Sequence, residues 1–347
     1  MSSTSRVVVV DDSAMMRQTV SDALRTIRGV DIVATAASGP EAVDVIAEHR
    51  PDIVSLDIEL PGLNGLDVLR RTMKNNPTRV VLVSAHTTAG AETTIEGLSL
   101  GALDFVPKPS VDEGIDIFRV RLRRTFRAAL AAKLPTQGTP RETNTDTRPL
   151  RNTALMIVAS STGGPQALHE FFSAFKKPPR FPLAVVQHMP PKFTAKMAER
   201  LDRTGIISVK EAGDGDRLAA GTALVAPGTS HMEIHGEVVR LTDDAPIGGL
   251  RPRADVTMSS AIKVYQSHVA GLVLTGMGTD GLIGCRDIKR AGGQVIAQDS
   301  ASATVDGMPR AIREAGIAER IGTPAALAKI VEATPLQLGV MAAAGSV

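Results

Sequence analysis

With 347 residues the chain is long enough for two domains, each able to bury its own core. Its 39 basic residues nearly balance 37 acidic ones, for a net charge of +2, so it lacks the one-signed field that nucleic-acid or membrane-surface binding exploits. Aromatic content of 3% without tryptophan argues against stacking platforms for single-stranded nucleic acid. The single cysteine, Cys285, excludes an internal disulfide, and no apolar run is long enough to cross a bilayer, so the expectation is a cytoplasmic protein.

From Arg6 to about Arg127, short apolar runs alternate with helix-like segments: RVVVVDD, MRQTVSDALRTI, VDIVATA, GPEAVDVIAEH, DIVSLD and onward. This alternation predicts a five-stranded parallel sheet with helices on both faces. Residues 113–133 read as a basic helix, and LPTQGTPRETNTDTRPL, residues 134–150, has the composition of a linker. Beyond Asn152 the predicted strands are ALMIVAS, PLAVVQHM, TALVAPG, HVAGLVLTG and QVIAQD. Residues 231–244 alternate with period two around Gly236 and predict a hairpin insert. The fold class expected is α/β, with two doubly wound parallel-sheet domains at 1–127 and 152–347, the second the larger, joined by a helix end and linker at 128–151.

Open parallel sheets bind ligands at the carboxyl ends of their strands, and in the first half those ends are polar. The first strand runs into Asp11 and Asp12, the third ends in Asp57, the fourth in Ser84, and the fifth in Lys108, followed by Pro109. Carboxylates without cysteine or histidine beside them favour a hard cation such as Mg²⁺. In this reading Asp57 accepts a phosphoryl group, Asp12 binds the metal directly, Asp11 reaches it through water, and Glu59 adds its backbone carbonyl. Lys108 neutralises phosphoryl charge, Ser84 bonds a phosphoryl oxygen, and Phe105 shifts in concert. Each acid taken singly also fits a helix cap or a solvated turn. The motifs VVVVDDSAMMR, SLDIELPGLNGLDVLR, VVLVSA and GALDFVPKP resemble a response-regulator receiver domain over residues 5–125. That resemblance implies a flavodoxin-like fold with strand order 2-1-3-4-5, phosphorylation by a histidine kinase, and a cis Lys108–Pro109 bond.

In the second half, LMIVASSTGGPQAL is an apolar strand that ends in small residues and turns into a helix, a place to mount a serine nucleophile. A phosphate-cradling turn, or simply a tight turn, fits the same residues. A serine needs a histidine to take its proton and a carboxylate to hold that imidazole. His188 closes PLAVVQHM and Asp280 follows HVAGLVLTGMGT, so both stand at strand ends. A surface histidine and a helix-capping aspartate are the plainer readings.

The motifs ASSTGGPQAL, VVQHMPPKFTAKMAERL, ALVAPGTSHMEI, LRPRADVTM, LTGMGTDGLIG and AQDSASATVDGMPRAI are together similar to the catalytic domain of the chemotaxis protein-glutamate methylesterases, the CheB family, over residues 152–335. The resemblance makes Ser161, directly before Thr-Gly-Gly, the nucleophile, with His188 as base and Asp280 orienting it. It assigns the oxyanion to the Met277 amide and the turn after Ser161, with Thr162 orienting histidine or substrate. It implies hydrolysis of glutamate γ-methyl esters on methyl-accepting chemoreceptors, deamidation of receptor glutamines, a CheA-type kinase as phosphodonor, and no cofactor for the esterase step. It further implies that the unphosphorylated receiver covers the serine site and that phosphorylation at Asp57 opens it. Three positions depart from the family pattern: Ser160 stands where alanine is common, Arg253 where a small residue is usual, and Asn64 where aspartate is often found. The alternatives are a DNA-binding effector, for which no helix-turn-helix is visible, and an inactive or differently specific effector acting by partner binding.

Overall fold

The computed structural model describes residues 4–85, 87–109, 114–132 and 147–335. These residues form two compact units, one ending at residue 132 and the other beginning at residue 147. Most of the predicted linker, residues 133–146, lies outside the described residues. No helix among them is long and apolar enough to cross a membrane.

The first unit alternates strand and helix five times: β1 (Ser5–Val10), α1 (Ala14–Arg25), β2 (Val30–Ala36), α2 (Gly39–His49), β3 (Ile53–Asp57), α3 (Gly65–Asn75), β4 (Arg79–Ser84), α4 (Thr88–Ser99), β5 (Asp104–Pro107) and α5 (Ile115–Ala131). The strands are all parallel, in the order β2-β1-β3-β4-β5. Helices on both faces bury the central strands, which is why Val7, Val8, Val9 and Val10 run as an unbroken apolar stretch without alternation. Four of the helices begin with a side-chain cap, from Ser13, Ser38, Asn64 and Thr87. Asn64 accepts the Asp67 N–H at 2.9 Å. Asparagine and aspartate cap about equally well, so the departure at this position leaves the local structure intact. The one cis peptide bond among the described residues is Arg251–Pro252. Lys108–Pro109 is therefore trans, contrary to expectation, and Lys108 still reaches the acidic cluster.

The second unit contains β6 (Leu155–Ser160), α6 (Gly164–Ser173), β7 (Leu183–Gln187), α7 (Phe193–Asp202), β8 (Ser208–Glu211), β9 (Thr222–Val225), β10 (His231–His235), β11 (Val238–Thr242), α8 (Ala254–Tyr265), β12 (Val269–Val273), α9 (Leu282–Arg290), β13 (Gln294–Gln298), α10 (Met308–Glu314), β14 (Arg320–Gly322) and α11 (Pro324–Ala333). Seven parallel strands lie in the order β14-β13-β12-β6-β7-β9-β8. The predicted hairpin is β10–β11, a separate antiparallel pair turning at Gly236. Sequence patterning misses β8 and β14, because each buries a single residue and carries no apolar run. The chain leaves β6 toward β7 and later returns to β12 on its other side. Strand order reverses across β6, and this opens a crevice at its carboxyl end. Fully buried aliphatic side chains of β6, β12 and β13 meet α8 and α9 in the core, where burial contributes about 1.5–3 kcal/mol per large side chain.

Candidate functional sites at two sheet edges

In the first unit, Asp11 and Asp12 follow β1, Asp57 and Ser84 end β3 and β4, and Lys108 follows β5. Parallel pairing brings all five to one edge. One carboxylate oxygen each from Asp11, Asp12 and Asp57 lies within 4.8 Å of the others. Lys108 Nζ donates to Asp57 Oδ2 at 2.6 Å and lies 3.2 Å from Asp11 Oδ2. Glu59 contributes its N–H to Asp57 Oδ1 at 3.2 Å.

Asp57 is 1% exposed. Burial pushes its pKa up to about 6, with Asp11 adding repulsion, while the Lys108 hydrogen bond and charge and the Glu59 amide pull the other way. For Lys108, burial works to lower the pKa, but the Asp57 and Asp11 carboxylates outweigh it and raise the value. The cluster is thus short of positive charge. The residues fit a divalent cation: three carboxylates converge, one of them exposed, with the single Lys108 ammonium set against Asp11 and Asp57.

Ser84 is not brought onto Asp57. Its Oγ accepts from Thr94 Oγ1 at 2.6 Å and donates to the Gly90 carbonyl at 3.2 Å, which ties it to α4. Phe105 is buried in β5. Sequence reasoning overlooked Thr94, whose only signal is helical spacing from Gly90. It also overlooked Arg17, whose guanidinium fixes the Asp11 and Asp12 carbonyls at 2.7 and 3.0 Å.

In the second unit, Ser160 ends β6 in register with Gln187, the last residue of β7. Ser161 and His188 are the next residues on these neighbouring strands, and the His188 N–H donates to the Ser160 carbonyl at 3.0 Å. The turn after Ser161 requires glycine twice. Gly163 has φ +76°, and a Cβ on Gly164 would collide with the Gln187 side-chain oxygen. Ser160 and Ser161 are not equivalent. Ser160 is 0% exposed, and its hydroxyl donates to Gln187 Oε1 at 2.6 Å. Gln187 Nε2 in turn donates to the Ser161 carbonyl at 2.9 Å and the His188 carbonyl at 3.1 Å, pinning both strand ends.

His188 Nε2 lies 2.7 Å from Asp280 Oδ2, while Nδ1 is buried with no hydrogen-bond partner. Asp280 follows β12 and also performs the plainer task weighed for it, although on another helix than its own. It accepts the Ala254 N–H at 2.8 Å and the Asp255 N–H at 3.2 Å, satisfying the first turn of α8 where the N-cap residue, Arg253, supplies no cap. Burial works to raise the Asp280 pKa, but the His188 hydrogen bond and charge and those two amides bring it down to about 2. The carboxylate therefore stays ionised at neutral pH.

Thr162 is buried, and its carbonyl accepts from Thr275 Oγ1 at 3.0 Å. Met277 is 39% exposed, and its N–H takes no part in the backbone hydrogen bonds of the described residues. Chemically, this edge offers a hydroxyl, an imidazole with one occupied and one open nitrogen, an ionised carboxylate, and an open amide.

The family model for CheB methylesterase matches residues 156–331, and that for the response regulator receiver domain matches residues 7–117. The protein-glutamate methylesterase/protein-glutamine glutaminase of Symbiobacterium thermophilum is 40% identical over 342 residues, covering 91% of this chain and 93% of that protein. Its namesake from Haloarcula marismortui is 36% identical over 346 residues, covering 91% and 94%. The crystal structure of the Thermotoga maritima CheB methylesterase catalytic domain is similar with a TM-score of 0.50 and 36% identity, covering 52% of this chain and 99% of that one.

Proposed function

The chain belongs to the CheB methylesterase family, and on that premise we propose that it is a phosphorylation-activated protein-glutamate methylesterase and protein-glutamine glutaminase acting on methyl-accepting chemoreceptors. In this reading residues 1–127 are the receiver, 128–151 the joint and 152–347 the catalytic domain. The observation that carries the chemistry is the His188 imidazole, held by Asp280 through one nitrogen and open at the other, next to Ser161 at the neighbouring strand end.

Asp280 fixes the tautomer with the proton on Nε2, which leaves the Nδ1 lone pair for the Ser161 hydroxyl. Ser161 Oγ attacks the glutamyl γ-carbonyl carbon as His188 Nδ1 takes its proton. The Met277 N–H meets the oxyanion that forms, an interaction worth about 3–4 kcal/mol of barrier. Collapse breaks the bond to methoxide or amide, and the Nδ1 proton leaves with methanol or ammonia. Water then attacks the glutamyl ester with His188 again as base, releasing glutamate and restoring Ser161. Thr162 orients the substrate from the turn.

In the receiver, Asp57 is the phosphoryl acceptor for a CheA-type histidine kinase. Asp11, Asp12 and Asp57 would hold Mg²⁺, with the Glu59 carbonyl as a further ligand, and the cation would supply neutralisation of phosphoryl charge. Lys108 shares that task. Phosphorylation would draw Ser84 from its bonds to Thr94 and Gly90, freeing α4 and Phe105 to shift.

Methanol release from methylated receptor signalling domains should rise when a small phosphodonor and Mg²⁺ are added, and Asp57→Asn should abolish that increment completely. A stimulated Asp57→Asn would contradict the assignment. Mg²⁺ affinity should also depend on pH. The cation competes with a proton for Asp57, so affinity is full above about pH 6 and falls about tenfold per unit below it. Calorimetric titration at pH 7.5, 6 and 5 checks this, and a flat profile would contradict it.

A further inference from the structure

Arg253, the position where a small residue was expected, sits at the N-cap of α8 and gives that helix no side-chain cap. Its guanidinium lies between two buried carboxylates. Nη2 donates to Asp255 Oδ2 at 3.1 Å, Nε lies 3.2 Å from Asp280 Oδ1, and Nη1 donates to the Ile247 carbonyl at 3.1 Å. Asp255 is 7% exposed and Asp280 4%. The other Asp255 oxygen accepts the Gly284 N–H at 2.9 Å, at the start of α9.

Two like charges this well buried destabilise one another unless a cation stands between them. Burial, and the charge of Asp280, raise the Asp255 pKa above the usual carboxylate range. The groups facing this cluster are Arg253 and Asp255 at the start of α8, Asp280 ahead of α9, His188 at the end of β7, and the Cys285 thiol of α9. That thiol is kept protonated by burial and by both carboxylates. Arg253 is the permanent cation of the set.

We propose that Arg253 is a positioning residue: it neutralises the repulsion between Asp255 and Asp280 and so keeps Asp280 seated on His188 Nε2. This rests on Ser161, His188 and Asp280 acting as proposed above. Without the guanidinium, Asp280 would swing from Asp255 about its remaining amide contacts, and the imidazole would lose the partner that fixes its tautomer. The residue acts through Asp280 and touches no reacting atom.

The test uses the full chain with Arg253→Met, Arg253→Lys and the double variant Arg253→Met with Asp255→Asn. Misplacing the imidazole by about 1 Å should lower kcat by about 10- to 100-fold in Arg253→Met, with KM within about twofold of the parent. Arg253→Lys should recover part of the loss. Adding Asp255→Asn should recover most of it, because deleting one carboxylate removes the need for the cation. A second readout is the low-field proton resonance of His188 Nε2–H, present in the parent, broadened in Arg253→Met and sharp again in the double variant.

A raised KM with unchanged kcat would make Arg253 a substrate contact and overturn the proposal. A loss of kcat that Asp255→Asn does not relieve, or one with the resonance unaltered, would overturn it too. A parent chain that releases no methanol would count against the esterase reading, while the resonance comparison alone would still decide whether Arg253 seats Asp280.

Discussion

Ser161→Ala should lower methanol release from methylated receptor signalling domains by about 10⁶-fold, since a serine nucleophile and its base act as a unit. The neighbouring Ser160 cannot take over. It lies in the sheet interior with its hydroxyl committed to Gln187, and reaching substrate would require breaking the contact that pins both strand ends. Ser160→Ala is the informative companion. It leaves Gln187 Oε1 buried and unpaired, costing about 1–3 kcal/mol of stability, while keeping the catalytic hydroxyl. The expected pattern is loss of activity without loss of stability for Ser161→Ala, and lower Tm with activity retained for Ser160→Ala. Kinetics and thermal unfolding of the two variants check it, and the reverse pattern would move the nucleophile to Ser160.

Asp280→Asn carries the second large effect. Replacing the orienting carboxylate of such a site by its amide lowers turnover by about 10⁴-fold, because the amide no longer fixes the base in the productive tautomer. In this protein the same side chain caps α8, so the fold and the proposed orientation of His188 depend on one residue. Asparagine retains one oxygen for the Ala254 or Asp255 amide, and the stability cost should stay near 1 kcal/mol. Asp280→Ala should cost more than Asp280→Asn, since it removes the acceptor from both amides and the carboxylate facing Arg253 Nε. Unfolding at pH 7 should rank parent, Asp280→Asn, Asp280→Ala in falling stability, with both variants catalytically disabled. Equal stability of all three would show that the cap is dispensable.

The pH dependence of that stability follows from the depressed Asp280 pKa. A carboxylate bound more tightly in its ionised form stabilises the fold above its ordinary pKa near 4, and this contribution is lost as pH falls toward about 2. Asp57 has the opposite sense. Its raised value makes the folded receiver lose stability as pH rises from its ordinary pKa near 4 to about 6, above which the penalty for the buried carboxylate is complete.

Much of this protein was legible in the chain order of its residues. Apolar runs with helix-like segments between them specify a parallel α/β fold, because buried strands and amphipathic helices are written in local periods. Strand-end residues such as Asp57, Lys108, Ser161 and His188 are likewise placed by local position once the sheet is known to be parallel. Two strands were not legible, since β8 and β14 are held by pairing with their neighbours and not by patterns of their own. Asp280 was named as the partner of His188 from its strand-end position and the family resemblance, and the tertiary structure makes the contact across 92 residues by placing β12 and β7 on either side of β6. It also decided that Ser84 rests on Thr94, that Asp280 caps α8, and that Arg253 joins two carboxylates. Each of these depends on side-chain directions across elements, which no local period encodes, whereas the strand, turn and helix around Ser161 are set by the backbone freedom of its own glycines.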